Sequence, residues 1–348
     1  MTTENSTTQE PATGKKILLS GSRPTGRQHL GNYVGALAQW LDMQEECECF
    51  FMIADWHALT NSYNDTGELP ENIRQQMLDW LAVGLDPVKS TIFIQSAIKE
   101  HAELNLLLGM FTPLGLAERT TSWKDLVVEQ GLDEMRTYGF LGYPVLQSAD
   151  ILMYQAHVVP VGKDQVEHVE KTQDIAQKIN VRYGEVFRIP QWRLGRAPVL
   201  LGNDGRKMSK SYGNCIYLSD SSKETWDKVR VMVTDPARVT KKDPGDPEKC
   251  SVWDYHKVFT PEERHGEIWE NCTKAKWGCV ECKRVLQEAL DRKFEPVRER
   301  RAALEAKTGE WHEVLVEGNR KARKRAQKTM EGVREKLHLF PSDGSDGT

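Results

Sequence analysis

The stretch KKILLSGSRPTGRQHLGN, residues 15–32, decides the reading of the fold. An apolar run at Ile17, Leu18 and Leu19 leads into a turn containing Gly21, Pro24, Thr25 and Gly26. Apolar residues then recur at Tyr33, Val34, Leu37 and Trp40 with helical spacing. The pattern is strand, glycine-containing turn, helix. Small turn residues admit a nucleotide to the backbone, and a helix that starts here aims unpaired N–H groups and its positive dipole end at phosphate. Working outward, CFFMIA at 49–54 and TIFIQ at 91–95 predict a second and a third strand, separated by a helical pattern from Glu71 to Val83. Residues 100–157 read as mostly helical, and VVPVG at 158–162 and APVLL at 197–201 predict two further strands. Strands alternating with helices predict a parallel sheet covered on both faces, with its ligand crevice outside the carboxyl ends of the strands.

Strand signals cease after about residue 219, and residues 222–338 carry charged, helically spaced patterns broken by TDPARVTKKDPGDPEKC at 234–250. The expectation is an α/β protein: a Rossmann-type domain over 15–218 with a helical insertion at about 100–157, then an all-helical domain over 219–340. The polar ends, 1–14 and 341–348, predict disordered tails. The 348 residues suffice for two domains, and 47 Lys+Arg against 51 Asp+Glu exclude a polybasic nucleic-acid coat. No apolar run reaches the ~18 residues of a membrane span. The first fourteen residues have neither the apolar core of a secretory signal nor the arginine bias of a transit peptide, so a cytoplasmic location and no membrane contact are expected.

A second constellation is Lys207-Met208-Ser209-Lys210-Ser211, preceded by the loop Gly202-Asn203-Asp204-Gly205-Arg206. Two lysines beside hydroxyls suit a polyphosphate whose charge grows in a transition state, whereas the run alone reads more often as a solvated loop. Taken together and in this order, His29-Leu30-Gly31-Asn32 and Lys207 to Ser211 resemble the two signatures of class I aminoacyl-tRNA synthetases. ADWHALT at 54–60, YPVLQSAD at 143–150, and VGKDQ at 161–165 followed by His168 resemble the tryptophanyl/tyrosyl subclass, and the likeness runs from about Lys15 to about Leu339. The tryptophanyl branch is the nearer. The resemblance implies a Rossmann catalytic domain, a helical anticodon-binding domain and a symmetric homodimer. It also implies activation of L-tryptophan by ATP and Mg²⁺, followed by transfer to tRNA(Trp). A tyrosyl-type ligase and a synthetase-like paralogue with a binding role are the rival readings, and an additional protein partner is compatible with each.

By motif position, the resemblance implies that Arg23, Pro24, Thr25, Gly31 and Asn32 hold ATP, with Gly162, Lys163 and Asp164 at the ribose and Leu200 against the adenine. Met208, Ser209 and Ser211 complete the lysine loop, and His29, Asn32, Lys207 and Lys210 form the catalytic group. Arg23 stands where the family usually has Gln; it either adds a cation to the ATP site or pairs with a carboxylate. Asp150 is expected to accept the indole N–H, the alternative being a helix cap before Ile151. Leu19, His57, Tyr143, Gln147 and Gln165 complete the tryptophan pocket, with Gln147 where many tryptophanyl enzymes have Met. Leu19 replaces the Tyr of the tyrosyl pattern and offers a phenol no partner, which favours tryptophan.

Seven cysteines make a poor disulfide scaffold, yet Cys250, Cys272, Cys279 and Cys282 form the pattern C-x21-C-x6-C-x2-C. Four thiolates at such spacing suit one metal or cluster. The set resembles the iron–sulfur variety of bacterial tryptophanyl enzymes, which implies a [4Fe–4S] cluster; Zn²⁺ fits the same donors, and reduced cysteines filling small apolar gaps are the plain alternative. Between 318 and 336 eight cations, among them Arg320, Lys321, Arg323, Lys324 and Arg325, face only two anions. This is either a solvated helix face or a surface for tRNA phosphates.

Overall fold

The computed structural model describes residues 14–129, 136–195, 199–307 and 309–339. Five strands, β1 (Ile17–Ser22), β2 (Glu48–Ile53), β3 (Ser90–Ile94), β4 (Val158–Val161) and β5 (Gln191–Leu194), form one sheet in the order β3-β2-β1-β4-β5. Every pairing is parallel. The chain builds outward from β1 through β2 to β3, then crosses to the other side of β1 for β4 and β5. The switch point therefore lies between the carboxyl ends of β1 and β4, where open α/β sheets bind ligands. The first four strands match the sequence expectation. The fifth does not: Val199, Leu200 and Leu201 lie outside the sheet, Leu201 forming only an isolated bridge with Lys207, and the rest of APVLL lies outside the described residues. The edge strand β5 is four exposed residues whose sequence, QWRL, has no buried face to announce it.

The helices are α1 (Leu30–Asn32), α2 (Ala38–Glu46), α3 (Asp55–Ser62), α4 (Leu69–Val83), α5 (Glu100–Phe111), α6 (Leu114–Glu118), α7 (Thr121–Trp123), α8 (Tyr138–Met153) and α9 (Val166–Tyr183). A π-turn, Tyr33–Leu37, joins α1 to α2. After β5 come α10 (Ser222–Val229), α11 (Ser251–Phe259), α12 (His265–Thr273), α13 (Cys279–Ala306) and α14 (Glu310–Lys336). The expected tails fall outside the described residues, apart from Gly14. No helix among the described residues is long and apolar enough to cross a membrane.

Successive residues of β2 feed opposite faces of the sheet, as strand geometry requires. Phe51 stacks on Trp40 with ring centroids 4.8 Å apart, while Phe50 stacks on Tyr154 at 4.8 Å. The face under Phe51 continues into Leu286, Leu290 and Phe294 of α13, and the face under Phe50 into Ala322, Ala326 and Met330 of α14. The helical part of the chain thus shares both cores with the sheet. Helix α14 crosses β3 so closely that a Cβ on Gly318 would lie 1.7 Å from the Ile92 carbonyl oxygen, so only glycine fits there. Beside it Asn319 Oδ1 accepts the Ile94 N–H at 2.9 Å, pairing a donor of the sheet's edge.

That docking changes the reading of the basic run. Arg325, expected on the tRNA face, is turned inward beside Glu48 at 3.9 Å, and Arg334 forms a bidentate pair with Glu103 at 2.7 and 2.5 Å. Burial lowers the pKa of the Arg325 guanidinium. Arg320, Lys321, Arg323 and Lys324 remain exposed; Arg320 is paired with Glu317, and Arg323 donates to the Ala97 carbonyl.

Candidate active site

A cleft of about 490 Å³ opens at the switch point. Its walls are the ends of β1 (Leu19 to Ser22, then Arg23) and β4 (Val159 to Val161, then Gly162), the π-turn at Gly35 and Ala36, and side chains from α3 and α8. Leu19, His57, Tyr143, Gln147, Asp150 and Gln165 all line it, brought together from β1, α3, α8 and the turn Lys163–Gln165. Gln147 Nε2 donates to Gln165 Oε1 at 3.5 Å, and Tyr143 donates to Ser122 at 2.9 Å. Ser122 also lines the cleft.

Asp150 is 1% exposed and sits inside α8, which runs on to Met153, so it is not a helix cap. Burial by itself raises a carboxyl pKa; here hydrogen bonds from His101 and His57 outweigh it and hold Asp150 at about 2. His57 Nε2 lies 2.7 Å from Oδ2, His101 Nδ1 lies 2.6 Å from Oδ1, and Gln95 donates to both oxygens at 2.8 and 3.0 Å. The far nitrogen of His101 meets the Tyr154 hydroxyl at 2.8 Å. These three donors make four contacts, two on each carboxylate oxygen. His101 and Gln95 escaped the sequence reading because they belong to the helical and strand patterns of their own segments, and nothing local ties them to a carboxylate about fifty residues away.

The first turn begins α1 with a reciprocal cap. Asn32 N–H donates to His29 Nδ1 at 3.2 Å, and His29 N–H donates to Asn32 Oδ1 at 3.1 Å. Burial, with Lys210 nearby, pushes the His29 pKa down to about 4, so the ring is neutral with its proton on Nε2. Arg27 donates to Ser219 at 2.7 Å and to Asp220 at 2.8 Å, locking the turn onto the chain that follows the lysine loop. Lys210 donates to the carbonyl of Thr25 and to its hydroxyl at 3.2 Å. Burial lowers its pKa to about 8. Lys207 is exposed, Met208 is buried, and Ser209 and Ser211 share a hydrogen bond at 2.8 Å. Arg23 is exposed on the cleft wall, and no carboxylate among the described residues pairs with it. Lys163 and Asp164 flank Gly162 beyond the rim, with Gln165 donating to Asp164 at 3.1 Å. Leu200 departs from expectation: at 3% exposure it packs in the core with Met208 and Ile216, its surface already covered and not offered to an adenine.

The four late cysteines are all free thiols around one region between the 234–250 loop, α12 and the first turn of α13. Burial, with the other three thiols adding to it, raises the Cys282 pKa to about 12, which makes the four neighbours. Arg238 Nη1 approaches Cys272 Sγ at 3.8 Å and His256 Nε2 lies 3.3 Å from Cys282 Sγ. Among the described residues, however, no three such side chains stand at metal-ligating separation. The expected centre is present as a donor set and not as an assembled ligand shell.

Comparison with known proteins follows this geometry. A family model for class I tRNA synthetases (W and Y) matches residues 11–295. The tryptophan–tRNA ligase of Thermotoga maritima is 49% identical over 325 residues, covering 93% of this chain and 99% of that protein. The tryptophan–tRNA ligase of Aquifex aeolicus is 44% identical over 392 residues, covering 92% and 99%. The solved tryptophanyl-tRNA synthetase of Campylobacter jejuni, complexed with ADP and tryptophan, matches with a TM-score of 0.83 at 40% identity over 93% of this chain and 100% of that one.

Proposed function

The chain belongs to the family of class I tRNA synthetases for tryptophan and tyrosine, and from that premise we propose how its residues divide the work of a tryptophan–tRNA ligase. The protein activates L-tryptophan with ATP to tryptophanyl-adenylate and pyrophosphate, then transfers tryptophan to the 3′ end of tRNA(Trp). The observation that carries the residue assignment is Asp150, an ionised carboxylate in a dry pocket at one end of a cleft whose other end is the phosphate turn. A buried charged acceptor facing the cleft rewards a ligand N–H that takes a place among its donors and penalises a ligand without one. Leu19 beside it offers a phenol hydroxyl no partner, which favours indole over phenol.

With the ring at Asp150, the amino-acid carboxylate points toward the first turn and attacks the α-phosphate in line. No protein nucleophile is needed; positioning and preorganised charge supply the catalysis. Arg23, Pro24, Thr25, Gly31 and Asn32 hold ATP, which enters with Mg²⁺, while Gly162, Lys163 and Asp164 take the ribose. His29 presents an Nε2–H donor, and Lys207 and Lys210 neutralise the charge that grows on the departing pyrophosphate.

Three further assignments belong to the same reading. Leu114 and Tyr138 are exposed at an apolar cavity of about 480 Å³, Leu106 and Met110 of α5 are exposed as well, and apolar surface of this kind supports burial against a second copy in a homodimer. Arg320, Lys321, Arg323 and Lys324 serve tRNA phosphates from the exposed face of α14. Cys250, Cys272, Cys279 and Cys282 hold a [4Fe–4S] cluster, with Zn²⁺ as the alternative; the donor chemistry fits, since all four are free thiols beside the cations Arg238 and Lys283. Bound there, either group would cross-link the 234–250 loop to α12 and α13. A cytoplasmic location accords with this activity.

The deciding experiment is tryptophan-dependent exchange of pyrophosphate into ATP, with tyrosine as control. Exchange driven by tryptophan alone, and lost in Asp150→Ala and Lys207→Ala, is expected. Binding of ATP without exchange for either amino acid would favour the paralogue reading.

A further inference from the structure

The lysine loop is held from beneath by one amide. Asn214 is 1% exposed, and its Oδ1 accepts the Ser209 N–H at 2.8 Å while its Nδ2 donates to the Lys207 carbonyl at 3.2 Å and to Asp204 Oδ1 at 2.7 Å. Its own carbonyl accepts the Asn203 N–H at 3.2 Å. A Cβ placed on Gly202 would lie 2.3 Å from the amide carbon and nitrogen, so glycine is what lets the loop's base close over the side chain. The amide therefore grips the backbone at both residues that flank Met208. Met208 is itself buried, with its sulfur 3.6 Å from where a Cβ on Gly31 would stand, so the loop is fixed against the first turn on its other side.

We infer that Asn214 is a positioning residue for the activation step: through its grip on Lys207 and Ser209, with Asp204 as its anchor, it sets where Lys207 and Lys210 stand over the phosphates. The inference rests on the synthetase reading of the site. It touches no substrate; it acts through the two lysines. The Asn214 amide, ahead of the Arg206 N–H and guanidinium, holds the Asp204 carboxyl at about 2, so the anchor is charged throughout the working range. Electrostatic stabilisation falls steeply when a donor is displaced, because a preorganised site loses its geometry before it loses its charge.

The test uses the full-length protein with four changes: Asn214→Ala, Asn214→Asp, Asp204→Asn, and Asn214→Asp combined with Asp204→Asn. Wild-type exchange in the same assay establishes the synthetase reading separately from this one. Asn214→Ala is expected to lower kcat for pyrophosphate exchange about a hundredfold, the scale of a 1 Å misplacement, leaving the KM for tryptophan and tryptophan binding by equilibrium dialysis unchanged. Asn214→Asp sets two carboxylates against each other and loses as much; adding Asp204→Asn restores an amide–carboxylate pair and recovers part of kcat. Hydrogen exchange supplies a readout independent of activity: the Ser209 amide is protected in the wild type and exchanges faster in Asn214→Ala, which removes its acceptor, while Asn214→Asp, which keeps an acceptor oxygen, retains that protection. Unchanged Ser209 protection in Asn214→Ala, no recovery in the paired variant, or a kcat loss matched by equal losses of tryptophan binding and thermal midpoint would overturn the inference.

Discussion

The ammonium of Lys210 donates to the carbonyl of Thr25 and, at 3.2 Å, to its hydroxyl, joining the lysine loop to the first turn across 185 residues of sequence. In the proposed division of the site both groups belong to its ATP end, so this contact would mark where a phosphate has to displace a protein oxygen. Burial of the ammonium follows from the same contact and carries a pH signature.

Lys210 has its pKa lowered to about 8, burial being the main cause. A lysine with a depressed pKa carries its charge below that value and loses it above. The kcat for pyrophosphate exchange should therefore fall as pH rises through about 8, and in Lys210→Arg this limb should disappear, since guanidinium stays charged. A pH–rate profile of the two proteins checks this.

Asp150→Asn should raise the KM for tryptophan about tenfold to a hundredfold, the cost of leaving a buried N–H poorly paired, with little change in the KM for ATP. Stability carries a second sign. The folded-state pKa of Asp150 is about 2 against an ordinary 3.8, so its contribution is complete above the ordinary value and is lost as pH falls toward the folded one. Urea unfolding across the acid range should show a shallower pH dependence in the variant.

Asp79 is fully buried, accepts the Gln28 N–H at 2.5 Å on one oxygen, and receives Arg301 of α13 on the other. Burial raises its pKa and the Arg301 charge opposes that rise. Arg301→Met strands the carboxylate and should destabilise the protein by roughly 3–5 kcal/mol. Asp79→Asn/Arg301→Met should lose less than Arg301→Met alone, and denaturant titration of these two, Asp79→Asn and the wild type gives the coupling.

Met110→Asp places a charge in the exposed apolar face around Leu106 and Leu114. If that face is buried between two copies, sedimentation should show the variant as a monomer and the wild type as a dimer at the same concentration.

Cys279→Ser/Cys282→Ser removes half the thiol set. Anaerobically purified wild type is expected to carry iron with acid-labile sulfide, or else zinc, by elemental analysis, and the variant neither. Absence of all three from the wild type would leave the cysteines as reduced packing residues.

Much of the catalytic fold was legible locally. The strands at 17–22, 48–53, 90–94 and 158–161 are continuous apolar runs because both faces of a parallel sheet are covered, and the two phosphate motifs stand out because small and cationic residues occur there for reasons other than packing. Strand β5 was illegible for the converse reason: its four residues are exposed, and backbone pairing alone makes them a strand. Leu200 illustrates a related limit, since an apolar residue near a motif reads the same whether it meets a ligand or the core.

Sequence alone determined the residue types of the site and the order in which they arrive: the first turn, the Asp150 segment, the lysine loop and the four cysteines. Tertiary structure decided which charges meet. Arg325 and Arg334 look like tRNA contacts in a basic run, yet Glu48 and Glu103, far off in sequence, turn them inward. Asp150 is held well below the ordinary carboxyl range against its burial by hydrogen bonds from His101 and His57, with Gln95 converging on it from a third element. Local pattern fixes periodicity, which follows from backbone geometry within a few residues; the partner of a buried charge is set by long-range packing, where desolvation makes each unpaired group costly enough to choose its neighbour.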